Sequence, residues 1–246
     1  MPSTTVLVTS ITSFLGFLIA GAVTFLFLSH GREKYHYLFA SVLIIVAIWD
    51  LGIFICMIRN SSFNELPIYG YIISLPCMFL PALIYHFTCS YLNQPRRKST
   101  IFIWVYCIIF FVVSASGIGG KISGVYNYSW GNMFRPDTGV LLGIGFWLLF
   151  YYIFVWTSCW FLFRAYRQEV SPVTRRHTLY ILISFLVISL ANVKLAVLYN
   201  IDNRYVMPTG MLLIDIFGAL IGVAIIKHQL FDITLIVKKG TVYSLL

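Results

Sequence analysis

Seven apolar runs, each long enough to cross a bilayer, dominate the chain and leave little between them. They are Val6 to Leu28, His36 to Ile58, Ile68 to Leu92, Ile101 to Ile118, Val140 to Phe163, His177 to Tyr199 and Met207 to Ile226. A helix needs about 17 to 25 apolar residues to span the hydrocarbon core, and lipid offers no partner for an unpaired backbone group. The runs therefore predict helices, with no strand alternation inside them. The expected fold is an all-α integral membrane protein, a seven-transmembrane helix bundle. At 60% hydrophobic and 10% charged residues, the 246-residue chain stands far from a soluble domain, which averages about 45–50% and about 25%. Soluble enzymes and nucleic-acid modules are excluded on that ground.

Loop charge sets the expected orientation. Arg32, Lys34, Arg96, Arg97, Lys98, Arg164, Arg167, Arg175, Arg176, Lys227, Lys238 and Lys239 fall on one side, against Arg59, Lys121, Arg135 and Arg204 on the other. Cytoplasmic loops collect Lys and Arg, so the N-terminus is expected outside and the C-terminus in the cytoplasm of a multi-pass cell-membrane protein. The net charge of +9 is this topological bias and calls for no nucleic acid. The first run lacks a positive leader and reads as an uncleaved span. The longest external loop, Gly119 to Gly139, is expected to cap a binding site. Its Gly-Gly-Lys lacks the rest of a phosphate-binding loop, with Ala115 where the first glycine belongs.

Five cysteines, Cys56, Cys77, Cys89, Cys107 and Cys159, lie in apolar runs, where a thiol behaves as a small hydrophobe. No disulfide framework is expected, although Cys56 and Cys77 lie toward one membrane face. Neither the cysteines nor the five histidines have metal-ligand spacing, and no cofactor is expected.

Ionisable groups within spans are costly, so each is a candidate site. Asp50, Lys194 and Asp215 all fall at roughly 10–13 Å below the external surface, counted at 1.5 Å per residue. With Trp49 and Asn192 they are expected to wall an outward-opening polar pocket, or else to form a structural salt-bridge cluster that specifies helix packing. Asp215 shares a face with Gly218 and Gly222, a small-xxx-small pair that lets another helix come close. Pro76 and Pro81 are expected to kink the third span.

Beyond residue 228 the sequence reads Gln229-Leu230-Phe231-Asp232-Ile233 and, further on, Tyr243-Ser244-Leu245-Leu246. Together with Pro81-Ala82-Leu83-Ile84-Tyr85-His86-Phe87 and the Arg175-Arg176 entry to the sixth span, this resembles the N-terminal seven-transmembrane sensor region of bacterial and archaeal histidine kinases. The resemblance implies a sensor domain over residues 1–228 and the start of a cytoplasmic signalling linker over residues 229–246, with a longer parent chain. It implies an output domain in cis, relay through Leu230, Phe231 and Asp232, and room for a homodimer. It carries no catalytic motif to these residues. The partners expected are membrane lipids and a small or lipid-like ligand, and the rival functions are a small-solute or ion transporter and a membrane scaffold for partner proteins. Opsin and G-protein-coupled receptor patterns are absent: Lys194 is in the sixth run rather than the seventh, and Asn93-Gln94-Pro95-Arg96 follows the third.

Overall fold

A computed structural model describes residues 4–31, 33–59, 74–94, 96–118, 120–128 and 131–228. The helices are α1 (Thr4–His30), α2 (Lys34–Arg59), α3 (Leu80–Tyr91), α4 (Arg97–Ala115), α5 (Thr138–Gln168), α6 (Pro172–Leu190) and α7 (Val206–His228). Among the described residues six stretches are long and apolar enough to cross a membrane, α6 counting together with the 3-10 segment that prolongs it. The run expected from Ile68 is described from residue 74 onward, as helical residues 74–77 followed by the 12-residue α3, and residues 68–73 lie outside the described residues. The relay residues Leu230, Phe231 and Asp232 lie outside the described residues.

Most helices extend past their apolar runs into polar flanks, because the run marks the hydrocarbon core while the backbone ladder continues through the interface. Sequence also sets several ends. Ser171 accepts from the Thr174 amide at 3.5 Å with Pro172 at the first helical position, so α6 starts sharply. Pro81 stands in the first turn of α3, after turns closed by Met78 and Phe79 on the Leu75 and Pro76 carbonyls. The third span is thus broken at Met78–Phe79 rather than merely kinked.

The core divides into two levels. Toward the face that carries Lys34, Arg96, Arg167 and Arg175, hereafter the basic face, Phe39 is wholly buried. Its ring lies 5.1 Å from Phe27, 5.0 Å from Phe87, 6.2 Å from Phe217 and 6.4 Å from Phe185, so α1, α2, α3, α6 and α7 meet on one side chain. Along α5 the buried residues Trp147, Tyr151, Val155, Ser158 and Leu162 recur every three or four positions and define a single inward face. Trp156 and Trp160 are exposed on the other side, as expected where lipid is the solvent. Three buried hydroxyls are returned to their own helices: Ser13 donates to Thr9 O, Thr88 to Ile84 O and Ser184 to Tyr180 O.

The long loop adds a two-stranded hairpin to a mostly helical chain. Ile122–Tyr128 and Gly131–Pro136 form an antiparallel hairpin, with Tyr126 opposite Met133 and a register irregularity between Ile122 and Gly124. Alternation in this short stretch places Tyr126, Tyr128 and Met133 on one face, and Met133 is buried. Asp137 then closes the unit: its Oδ1 accepts from the Val140 amide at 2.9 Å and its Oδ2 from the Lys121 amide at 2.7 Å. Cys56, Cys89, Cys107 and Cys159 carry free thiols.

Two outcomes follow. Phe39→Ala is expected to destabilise the bundle by about 3 kcal/mol, the low end for a soluble core, because lipid is already as apolar as the interior and only packing and cavity terms remain; unfolding in mixed micelles measures it. The Val140 and Lys121 amides hold the Asp137 carboxyl below the usual carboxylate range. A depressed folded-state pKa gives stability that is present above the unfolded value of about 3.9 and is lost as pH falls through the folded value. Amide exchange at Lys121 and Val140 should therefore accelerate on acidification below about pH 4, and Asp137→Ala should show the fast rate already at neutral pH.

Candidate functional site

At the level of the hairpin, α6 stops being an α-helix. Residues Ala191–Tyr199 continue as a 3-10 helix that ends at Asn200, whose φ of 61° is left-handed. A 3-10 run of this length inside a span is uncommon and marks either strain or a functional bend. Neighbouring tyrosines cover its carbonyls and those beside it. Tyr128 of the hairpin donates to Val197 O at 2.6 Å, and Tyr152 of α5 donates to Ser189 O at 3.2 Å. Burial beside Tyr126 and Asp202 pushes the Tyr128 phenol up to about 12, so it stays a donor throughout the physiological range.

The 3-10 segment carries Asn192 and Lys194. Lys194 is 7% exposed, and its Nζ sits 4.6 Å from the Trp49 ring centroid. A desolvated cation on an indole face gains about 2 kcal/mol. Gly210 of α7 makes room for the lysine stem, since a Cβ there would lie 2.5 Å from Lys194 Cβ and 2.9 Å from Ala191 O.

Asp50 is 0% exposed, and among the described residues neither of its oxygens has a hydrogen-bond partner. Trp49 and Asp50 are sequence neighbours and so point about 100° apart on α2. Trp49 lines a cavity, and Asp50 turns toward α1, where Asp215 of α7 also arrives. A Cβ on Gly16 would lie 2.5 Å from Asp50 Oδ2 and 2.6 Å from Asp215 Oδ1, so the two carboxylates converge on that glycine. Lys194 and Asp215 both act on Asp50 electrostatically, yet the lysine makes its close contact with the indole rather than with Asp50. The glycine face of α7 meets the same helix: a Cβ on Gly218 would lie 2.8 Å from Ile19 Cγ2, and one on Gly222 would lie 3.6 Å from Val23 Cγ2. That seam seats α7 directly on α1.

Beside this cluster lies a cavity of about 170 Å³, bounded by the hairpin base at Gly120 and Ile122, by Phe110 of α4, by Gly143, Trp147 and Tyr151 of α5, and by the break in α3 at Cys77 and Met78. Trp49, Asn192 and Lys194 contribute to its polar lining together with the hydroxyls of Ser74, Ser114 and Tyr151, while Asp50 and Asp215 are not among its walls. The polar pocket expected from all five residues thus resolves into a mostly apolar cavity and an adjoining carboxylate pair against α1. Sequence reasoning missed Gly16 and Gly210, which no charge or motif flags, and Tyr151, which reads as one aromatic among many.

The described residues form a multi-pass membrane bundle with Asp50, Lys194 and Asp215 gathered in one cluster. The family model for the N-terminal 7TM region of histidine kinase matches residues 8–234, and the chain belongs to that family. No curated protein shows significant similarity to it. Such a region is the sensory input part of its parent kinases.

Gly16 gives a direct check on the carboxylate pair. Gly16→Ala is expected to destabilise the protein by about 1–3 kcal/mol through overpacking against the buried Asp50 carboxyl and the half-buried Asp215 carboxyl. Gly21→Ala, five residues on in the same helix with nothing within 4 Å of its added Cβ, should be neutral or stabilising by about 0.5–1 kcal/mol. Parallel unfolding curves in one detergent compare them.

Proposed function

We propose that this chain receives a signal from outside the cell or from the bilayer and passes it through α7 to a cytoplasmic histidine kinase or similar output joined in cis. The hairpin face is external and the basic face cytoplasmic, a reading supported by the asymmetry of Lys and Arg between the loops. The observation that carries the proposal is the path of α7. One uninterrupted helix bears Asp215 beside Asp50 and Gly16, packs on α1 through Gly218 and Gly222, and runs on to His228 at the basic face. A displacement at the cluster is therefore delivered along a rigid rod. Leu230, Phe231 and Asp232, which follow directly in sequence, are the relay into the output domain.

In this reading Asp50, Lys194 and Asp215 form the polar switch, with Trp49 and Asn192 at the ligand side. A receptor needs two helix arrangements that bind its ligand with different affinity. Buried groups that lack partners in one arrangement, such as both Asp50 oxygens, give the cluster a reason to prefer a second one in which they are paired. The rival reading, transport of a small solute, draws on the broken α3 and the 3-10 stretch, since irregular backbone inside a membrane protein tends to line substrate sites.

The test uses the native full-length protein in its own membrane. Asp50→Asn, Lys194→Met and Asp215→Asn are each expected to change basal phosphorylation output by severalfold without loss of the protein from the membrane. Unchanged output in all three would overturn the switch. Solute flux in liposomes that contain only residues 1–246 would favour the transporter instead.

A further inference from the structure

Lys194 is the one charged side chain among the described residues that line the hairpin-side cavity, where Ser74, Ser114, Tyr151 and Asn192 are neutral. Lys194 carries only N–H groups, and the buried Trp49 Nε1 and Asn192 Nδ2 beside it are donors that no described residue answers. The acceptors that would answer them, the carboxylates of Asp50 and Asp215, face Gly16 instead, and neither residue lines the cavity. Unmade hydrogen bonds in a dry site cost about 1–3 kcal/mol per group. An occupant that brings an acceptor, above all a charged one, recovers that cost, because charge-assisted hydrogen bonds are roughly twice as strong as neutral ones.

Most of the remaining wall, including Val46, Ile188, Leu195, Leu198 and Ile214, is apolar. A volume of about 170 Å³ slightly exceeds the engineered cavity of about 150 Å³ that takes up benzene. It accommodates a small head group and the first carbons of one chain, not a two-chain phospholipid. The rest of the chain has an exit. Cys107 and Ile103, the buried residues of α4, both lie in or near its basic-face half, so the hairpin-side half is held by no buried side chain. Phe110, Val113 and Ser114 from that half, and Val140, Gly143 and Ile144 of α5, form the cavity wall between the two helices. There the closest approach of Gly143 is ordinary contact, 3.8 Å from its Cβ position to Phe110 Cζ, while Leu142 and Phe146 point outward and are each 62% exposed.

We propose that this cavity binds a single-chain amphiphile with a carboxylate head, taken from the surrounding bilayer between α4 and α5, with the carboxylate on Lys194, Trp49 and Asn192 and the chain leaving past Phe110 and Gly143. The proposal deepens the sensory reading by naming the chemistry of its ligand, and rests on that reading only for the effect on output. An amine head would meet the Lys194 charge, and an alcohol would supply a single neutral acceptor for three donors.

A dodecanoic acid with a photoactivatable chain, added to the full chain in phosphatidylcholine nanodiscs, is expected to label peptides from residues 110–114 and 143–147. Excess dodecanoate should abolish that labelling, whereas dodecanol and dodecylamine should leave it within twofold. Lys194→Met should lower it at least tenfold and Lys194→Arg much less. Gly143→Phe, which fills the exit while leaving the three donors intact, should also reduce it. If Lys194→Met does not fold, the head-group competition in the unmodified protein decides alone: dodecanol competing as well as dodecanoate overturns the proposal, as does labelling indifferent to Lys194→Met. Specific labelling without any change in phosphorylation leaves the site standing and removes the sensory reading. Output that responds to the switch variants, with no specific labelling, does the reverse.

Discussion

Charge held away from water is what the hairpin-side half of this bundle is organised around. Asp50 has no exposed surface and, among the described residues, no hydrogen-bond partner, and its neighbours are arranged as if to limit that cost. A glycine on α1 admits two carboxylates, a glycine on α7 admits a lysine stem, and a tryptophan face supports the ammonium. Each arrangement fixes a helix contact: α1 against α2 and α7 at Gly16, and α7 against the 3-10 segment at Gly210. Polar groups here position helices that lipid, being equally apolar, would not otherwise drive together.

The other half of the molecule is built on a different principle. Around Phe39 five helices meet through aromatic rings set among aliphatic side chains, the kind of dense packing that resists change. The result is a molecule with a close-packed core around Phe39 and, toward the hairpin, a level that contains a cavity, a broken helix and buried donors. α7 is common to both. Its upper part borders groups that can exchange partners, and its lower part, at Phe217, is gripped by the aromatic cluster.

Much of the architecture was legible in the sequence, and the reasons for the exceptions are physical. Apolar runs located α1, α2 and α4 to α7, and the prolines located the break in the third span, because both signals are local. The face of Asp215 was readable from Gly218 and Gly222 for the same reason. Counting residues from the surface gave the three charged groups a common depth, but depth says nothing about direction around a helix axis. Asp50 and Trp49 therefore looked like members of one pocket, although the 100° between them sends one to α1 and the other to the cavity. Gly16 was silent, since a glycine is informative only once its neighbour is known. The hairpin was overlooked because its alternation spans a few residues among aromatic and glycine positions that also suit a loop.

The nine-residue 3-10 segment has a mechanical consequence. A 3-10 helix advances about 2.0 Å and 120° per residue, whereas an α-helix advances about 1.5 Å and 100°. Converting all nine residues would shorten the element by about 4.5 Å and unwind it by about half a turn. Lys194, the fourth residue of the stretch, would sweep away from the Trp49 ring by a large fraction of that angle, and the Val197 carbonyl would leave the Tyr128 hydroxyl. The segment is in effect a wound spring, latched by one tyrosine from the hairpin and seated against α7 at Gly210.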